Sequence, residues 1–250
     1  MPQRKSKFKF REILFLSAFI FSTHGLWSQN LQLHYDFRHS IDPKLNGKIF
    51  PMLSFEYFKE IDTLGTGSFL FKLQSDLNGS NGNVGQVFTQ LSQSLKFWGP
   101  KVYLALNYSG GLGVTAASYG FYLTNAFGVG VSYPFQWKGA WIATNMYARY
   151  SAFNKPSYDP QLTLYFGKGF LDYRIFIAGS FVFWTENKNQ GTDFTSTLTG
   201  KKFAFFGDPQ VWFRLRNGFS IGSRISTFYN LLGEEDQFQF YPTIGAKYQF

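Results

Sequence analysis

The sequence predicts an all-β protein, a single transmembrane antiparallel β-barrel of about 12 strands that follows an N-terminal signal peptide. Three observations carry this prediction: a basic and then apolar amino terminus, many segments in which apolar and polar residues alternate, and connections that alternate between short and long. Aromatic residues form 21% of the 250 residues, and cysteine is absent. An aromatic-rich exported chain without cysteine is typical of an outer-membrane barrel rather than of a disulfide-stapled extracellular module.

The amino terminus has the features of a secretory signal peptide. The segment 4–11 carries five basic residues, an apolar run over 13–21 follows it, and the small residue Ser28 lies near the expected cleavage point. The apolar run is too short to span a bilayer, which needs about 20 such residues. A basic amphipathic helix is the alternative interpretation. The predicted division is a signal peptide over 1–28 and an outer-membrane barrel over 29–250.

The charge that remains after removal of the signal peptide argues against a nucleic-acid partner. Residues 1–28 hold five of the 24 basic residues and one of the 15 acidic residues, so the formal net charge falls from +9 to +5. No Lys/Arg-rich run remains of the kind that follows a phosphate backbone. The expected partners are outer-membrane lipid, the barrel-assembly machinery and a small-molecule solute.

Alternating segments predict the strands. In one of them Phe69, Phe71 and Leu73 share a face, whereas Lys72 and Gln74 share the opposite face. Such alternation places a strand between an apolar and a polar environment. The predicted strands cover residues 30–39, 49–60, 67–77, 86–98, 101–110, 120–133, 139–151, 160–167, 170–185, 202–215, 218–229 and 238–250.

The connections between these strands form two alternating sets. The first set is short, and its sequences are IDTLGT, GP, PFQWK, GKG and RN. The second set is longer and rich in Gly, Asn, Ser and Asp, as in SIDPKLNGK and TENKNQGTDFTSTLTGK. Short periplasmic turns and long extracellular loops are typical of outer-membrane barrels, and an even strand number places both termini in the periplasm. A soluble β-sandwich also alternates, but it has fewer strands and no such asymmetry.

The last strand carries a predicted assembly signal. In the ending TIGAKYQF, Thr243, Gly245, Tyr248 and Phe250 resemble the β-signal that the barrel-assembly machinery recognises in outer-membrane proteins. The last strand of a barrel must also pair with the first, because an open edge is not tolerated in lipid.

The strand number predicts a narrow lumen. Eight-stranded barrels are filled by side chains and 16–18-stranded porins hold a water channel, so about 12 strands predict an outer-membrane channel for small polar solutes. Inward cations attract anionic or polar solutes, and inward rings stack planar ones. The alternative for each residue is an ion pair within the lumen or a ring that only fills space. The candidate solute-contacting residues are Trp212, Tyr241, Arg214, Arg224, Arg174, Arg149, Lys72 and Lys96, of which the first four form the preferred cluster.

Four segments carry a resemblance to a known family. QNLQLHYDF, LKFW, DPQVWF and YPTIGAKYQF resemble an uncharacterised family of Bacteroidetes-type outer-membrane proteins. That family is similar to the Tsx-type nucleoside channels, which are twelve-stranded monomeric barrels. The resemblance spans the mature chain and implies a monomer that admits nucleosides or related planar solutes. It assigns no nucleoside-contacting residue.

Two other function classes compete with a channel. An outer-membrane lipid hydrolase or acyltransferase needs a nucleophile activated by histidine. Only His34 and His39 follow residue 28, and the GSNG segment has no histidine two residues before Ser80. No enzyme activity, catalytic residue, cofactor or metal site is therefore expected. The other class is a non-conducting structural or adhesive barrel, with the segment 186–201 as the candidate lumen plug.

Overall fold

The protein forms one antiparallel sheet that closes into a barrel. The computed structural model describes residues 27–44, 48–59, 67–96, 98–114, 119–232 and 236–250. The predicted signal peptide and its cleavage point lie mostly outside these residues, so that prediction stays a prediction. One short helix, α1 (Arg38–Ile41), follows the first strand. In the described part of the chain, no helix has the length and apolar character needed to cross a membrane.

The strands in chain order are β1 (Trp27–Asp36), β2 (Phe50–Lys59), β3 (Phe69–Asp76), β4 (Gln86–Leu95), β5 (Tyr103–Val114), β6 (Gly120–Trp137), β7 (Ala140–Ser151), β8 (Ser157–Phe170), β9 (Ile175–Asn187), β10 (Lys201–Gly207), β11 (Gln210–Arg214), β12 (Phe219–Tyr229) and β13 (Phe238–Gln249).

The 13 strands occupy 12 positions around the barrel. From β1 to β10 and from β11 to β13 each strand pairs with the next in the chain, and β1 pairs with β13, so that Leu31 lies opposite Tyr248. Strands β10 and β11 share one position, because both pair with β9 on one side and with β12 on the other. The closed sheet has no free edge, which is the condition for a sheet in lipid. The predicted twelve-stranded transmembrane barrel is confirmed.

The break between β10 and β11 occurs at Asp208 and Pro209. The sequence predicted one strand over 202–215, and the register indeed continues through the break without a shift. Proline has no backbone N–H to donate to the strand ladder. The alternation of inward and outward side chains continues through the break, so the Asp208 side chain points into the lumen. The Asp208 backbone N–H donates to the Ser180 carbonyl at 3.0 Å, and the Pro209 carbonyl accepts from the Ile225 N–H at 2.9 Å.

The outer surface of the barrel is apolar and the inner surface is polar. Leu33, Val129 and Ile221 are 45%, 55% and 52% exposed. Their neighbours in sequence, such as Gln32 and Ser220, are buried inside the barrel. A closed barrel with an apolar exterior and a polar interior is suited to lipid on the outside, as in outer-membrane barrels. The protein is therefore a barrel of the bacterial outer membrane.

The two ends of the barrel differ in the length of their connections. One end, called the short-turn end here, carries the turns 138–139, 171–174 and 215–218 together with the start of β1 and the end of β13. The opposite end, the long-loop end, carries the connections 37–49 and 188–200 among others. The predicted alternation of short and long connections is present in part, because the connection between β7 and β8 at the long-loop end has five residues whereas that between β4 and β5 at the short-turn end has seven.

Two predicted connections are placed wrongly. The segment GKG is not a turn, because β8 continues to Phe170 and the chain reverses at residues 171–174. Leu171, Asp172 and Tyr173 adopt positive φ angles there. The predicted eighth strand also starts too late, since β8 begins at Ser157 and shortens the preceding connection. Pairing with β7 explains the earlier start, since residues 157–159 lie opposite residues 149–151, and pairing with β9 explains the later end, since residues 168–170 lie opposite residues 175–177.

Candidate functional site: a cavity at the short-turn end of the lumen

A cavity of about 990 Å³ occupies the part of the lumen nearest the short-turn end. Its inner wall includes Lys72, Ser180 and Asp208, whereas Gly139 and Tyr173 belong to its outer rim. The rim residues are exposed and lie in turns. The cavity therefore opens at the short-turn end, which faces the periplasm in outer-membrane barrels.

Aromatic rings form part of the cavity wall. Phe58 on β2 and Trp141 on β7 meet edge to face, with ring centroids 5.8 Å apart, although their strands lie on opposite sides of the barrel. The Tyr165 hydroxyl accepts a hydrogen bond of 2.8 Å from the Gln90 amide. Because these contacts join distant strands, they narrow the lumen.

An ion pair closes the inner end of the cavity. The Lys72 ammonium on β3 donates to the Asp208 carboxylate at the break between β10 and β11, and both side chains are almost fully buried. Asp208 also accepts from the Ser180 backbone N–H at 2.8 Å and from the Ser180 hydroxyl at 2.7 Å. The two strand positions are five of 12 apart around the barrel. This contact, called the Lys72–Asp208 bridge below, crosses the lumen.

A second set of buried polar residues lies beside the bridge. The Arg224 guanidinium donates to the Gln74 side-chain carbonyl at 2.9 Å, and the Arg224 backbone N–H donates to the Thr243 hydroxyl at 3.2 Å. His34 contacts the same Thr243 hydroxyl at 2.8 Å and the Gln32 side-chain oxygen at 2.9 Å. These contacts link β1, β3, β12 and β13 across the middle of the lumen.

The half of the lumen toward the long-loop end is filled by side chains. Arg38 of α1 points into it, pairs with Asp36 at 2.8 Å and lies over the Tyr241 ring at 5.3 Å. On the opposite wall, Arg149 and Glu186 form an ion pair of 3.6 Å. All five side chains are buried. Helix α1 and these pairs, rather than the segment 188–200, fill this half, since most of that segment is exposed.

The predicted site residues fall into four groups. Lys72, Trp212 and Arg214 line the cavity. Arg224, Tyr241 and Arg149 are buried beyond the Lys72–Asp208 bridge or beside it, and they pack against other lumen residues. Lys96 follows the end of β4, where its ammonium lies 5.6 Å from the Tyr103 ring. Arg174 does not face the lumen as predicted, because it belongs to the exposed turn 171–174.

The preferred cluster is not assembled in the structure. Trp212 lies opposite Gly222 of β12, whereas Tyr241 lies opposite Ser226 of the same strand. Four residues of an extended strand span about 13 Å, and the Arg224 layer lies between the two rings. Tyr241 therefore contacts Arg38 and the long-loop half, and Trp212 belongs to the cavity.

Asp208 is the central residue that sequence reasoning missed. It lies in the segment GDP at the middle of a predicted strand, and the alternation of side chains along that strand directs it inward. An Asp–Pro pair inside an otherwise alternating strand is the signal that could have found it, since both residues are disfavoured in central strands. Gln32 and His34, on the inner face of β1, were likewise not assigned a place in the lumen.

The residues of the assembly signal lie along the closure of the barrel. The Phe250 backbone N–H donates to the Gln29 carbonyl at 3.1 Å. The Tyr248 ring contacts the Phe219 ring at 4.7 Å and the Phe250 ring at 5.1 Å. Thr243 is buried and contacts His34, and Gly245 lies directly opposite His34. Recognition by the assembly machinery stays a prediction.

The described residues contain no cluster of metal-ligating side chains. No group of three or more His, Cys, Asp or Glu side chains converges among them. The Thr243 hydroxyl and His34 form a hydroxyl–imidazole pair, and both residues are at most 2% exposed and lie outside the cavity lining. A substrate has no route to that hydroxyl in this conformation.

Comparison with known proteins places the chain in a family. The family model described as "Domain of unknown function (DUF5020)" matches residues 28–250. No curated protein matches the sequence. Similar solved structures include the KdgM porin, with a TM-score of 0.46 and 8% identity over 88% of this chain and 99% of that chain.

Two further structures are similar at the same level. LpxR from Salmonella typhimurium has a TM-score of 0.43 and 9% identity, and the match covers 89% of this chain and 100% of that chain. OmpT, an outer membrane protein of Vibrio cholerae, has a TM-score of 0.41 and 8% identity, with coverages of 90% and 96%. None of the three is a Tsx-type channel, so the nucleoside resemblance stays a prediction. Because the family model covers the whole barrel, this protein belongs to the DUF5020 family.

Proposed function

We propose that the protein is an outer-membrane channel for small polar solutes, with its lumen closed in this structure. The observation that carries the proposal is the nature of the closure at the inner end of the cavity. Lys72 and Asp208 meet across the lumen through their side chains, and no strand or loop backbone passes between them. Side-chain rotation is a fast motion of low cost compared with rearrangement of the barrel wall.

The cavity below the bridge has the size and lining of a small-molecule site. Its volume of about 990 Å³ falls at the upper end of the range for ligand pockets. Trp141, Tyr165 and Phe176 supply apolar rings, and Gln90 and Asn145 supply amides. A channel needs contacts that are favourable enough for entry and weak enough for release, and a lining of this mixed kind provides them.

A more specific form of this proposal names nucleosides as the solutes, and it derives from the resemblance to Tsx-type channels. A planar base stacks on an aromatic ring that has one face exposed to the cavity. Trp212 does not offer a free face, because it is 2% exposed and the Lys247 ammonium lies 4.5 Å from its centroid. Trp141 and Tyr165 are therefore the rings that we assign to base stacking in place of Trp212 and Tyr241.

The proposal is tested by planar-bilayer conductance of the refolded protein. The wild type should show a small or absent unit conductance, and the double variant K72M/D208N should conduct measurably more ions. The double variant removes both charges of the bridge, so it leaves no unpaired buried charge. The matched control is Lys138→Met, in the exposed turn 138–139, which should conduct like the wild type. A folded double variant that passes no ions would contradict the proposal.

A non-conducting structural barrel is the second candidate, and one observation favours it. Arg38, Arg149 and Glu186 fill the long-loop half with buried charged pairs, so the bridge is only part of the closure. If neither the double variant nor the wild type conducts, this account replaces the channel. The proposed channel acts as a monomer in lipid and not as an enzyme, which is consistent with the buried state of Thr243 and His34.

A further inference from the structure

Three polar residues form a row across neighbouring strands at the opening of the cavity. Arg214 on β11 lies opposite Ser220 on β12, and Ser220 lies opposite Lys247 on β13. All three line the cavity. Cross-strand partners have Cβ atoms about 5 Å apart, so the two cations stand on either side of one hydroxyl. We call this set the mouth row.

The charges that line the cavity are unbalanced. Four cationic side chains and two carboxylates contribute to the lining. Asp208 is engaged by Lys72 and by Ser180. Glu56, the other carboxylate, lies opposite Lys72 in the β2–β3 register. Glu56 also acts electrostatically on Lys247, so the excess of cations belongs to the lining as a whole, in which Arg214, Lys247 and Lys168 are three of the four cations.

Neither cation of the mouth row has a carboxylate partner within salt-bridge distance among the residues that the structure describes. The Lys247 ammonium instead lies 4.5 Å from the centroid of Trp212 and 5.8 Å from that of Phe176. Aromatic faces hold a cation but leave its N–H donors able to reach an anion. Arg214 and Lys247 are one strand apart, with Ser220 of β12 between them, and an anion bound at Ser220 would interact favourably with both cations.

We propose that the mouth row binds the anionic group of a small organic solute whose planar part contacts the rings of the cavity. The phosphate or carboxylate would accept from the Arg214 guanidinium, the Ser220 hydroxyl and the Lys247 ammonium. Arg and Lys side chains at a pore entrance select anions by the same electrostatics. This inference rests on the proposed function for the entry of solute into the cavity, and it names the substrate class as organic anions.

The test compares matched probes that differ in one charge. The full chain, refolded in detergent, is titrated with AMP and with adenosine, and separately with benzoate and with benzamide, by calorimetry at low salt. The first pair tests a phosphate and the second pair a carboxylate. We expect the anion of at least one pair to bind about tenfold or more tightly than its neutral counterpart, and the difference to shrink at high salt.

Variants of the mouth row test whether the preference for the anion arises there. The double variant R214Q/K247Q should remove the preference for the anion and leave the neutral probe unaffected. R214Q alone, which leaves the assembly signal intact, should remove part of it. The matched control is Arg216→Gln, in the exposed turn two residues beyond Arg214 and outside the cavity lining. Folding of each variant is checked by heat-modifiable mobility in electrophoresis.

The outcomes separate this inference from the channel proposal. Equal binding of charged and neutral probes by the wild type, or no binding of either anion, would overturn the anion site whatever the conductance. An equal loss in R216Q and R214Q would also overturn it, because a general surface potential would then explain the preference. Anion preference in a protein that never conducts would keep the site and remove the channel.

Discussion

The Lys72 ammonium and the Asp208 carboxylate, 136 residues apart in the chain, form an ion pair across the lumen of the barrel. The pair divides the interior into a cavity that opens at the short-turn end and a half that is filled by side chains. Buried ion pairs contribute little net stability, because desolvation offsets their attraction. Its position at the inner end of the cavity gives this pair a direct part in any solute pathway.

Removal of one partner of this pair should destabilise the barrel. Lys72→Met leaves the Asp208 carboxylate buried without its cation, and we expect a loss of about 3–5 kcal/mol in the free energy of unfolding. K72M/D208N should recover much of that loss. Urea unfolding of the refolded protein in lipid vesicles measures both. Equal stability of K72M and the wild type would show that Asp208 does not depend on Lys72.

Side chains of β4 alternate between lipid and lumen, so an arginine should lower the free energy of unfolding by different amounts on the two faces of this strand. Leu91→Arg places the charge against lipid and should cost about 2–4 kcal/mol near the middle of the bilayer. Ser94→Arg, on the same strand, places it in the cavity and should cost much less. Unfolding in lipid vesicles measures both, and equal costs would contradict the register. Phe71→Arg and Ile221→Arg should behave like Leu91→Arg.

Gly245 should not tolerate even a methyl group. A Cβ atom at this position would lie 2.7 Å from the His34 ring nitrogen Nδ1, which is held by Thr243. Gly245→Ala should therefore cost about 1–3 kcal/mol through overpacking at the closure of the barrel. The control is Gly120→Ala, where a Cβ atom would meet nothing within 4 Å. The two variants are compared by urea unfolding and by the heat-modifiable folded fraction, and equal values would argue against a tight contact.

The final residue should be needed for assembly in cells. Phe250→Asp removes the terminal aromatic of the predicted β-signal and its contact with Tyr248. We expect a large drop in the folded, heat-modifiable form in outer membranes. Phe194→Asp, in the connection 188–200, is the control, because that ring is 95% exposed and outside the barrel wall. Normal assembly of the Phe250→Asp protein would remove the β-signal interpretation.

Much of the barrel could be predicted from local pattern. The alternation around Phe71 and Lys72 determines which side chains face lipid and which face the lumen, because successive side chains of a strand point to opposite faces. Turn positions were less predictable. The segment GKG has turn composition, yet pairing of β8 with β9 extends the strand to Phe170 and places Arg174 in the turn.

The candidate site also contains features that local pattern predicts and features that it does not. Lys72, Trp212 and Arg214 line the cavity, but sequence reasoning joined Trp212 to Tyr241 and overlooked Asp208. The alternation of side chains along a strand shows which face of the sheet a residue occupies, but it does not show the height of that residue along the barrel axis. Height depends on strand tilt and register, which only the paired sheet contains.

The sequence by itself determined the strand number, the facing of most residues and the apolar exterior, because each depends on neighbours within a few positions of the chain. Only the tertiary structure decided that Lys72 meets Asp208, that α1 places Arg38 in the lumen, and that Arg214 and Lys247 share the opening of the cavity. These contacts join strands from opposite walls or from distant parts of the chain. They exist only after β13 has paired with β1 and the closed sheet has set every register at once.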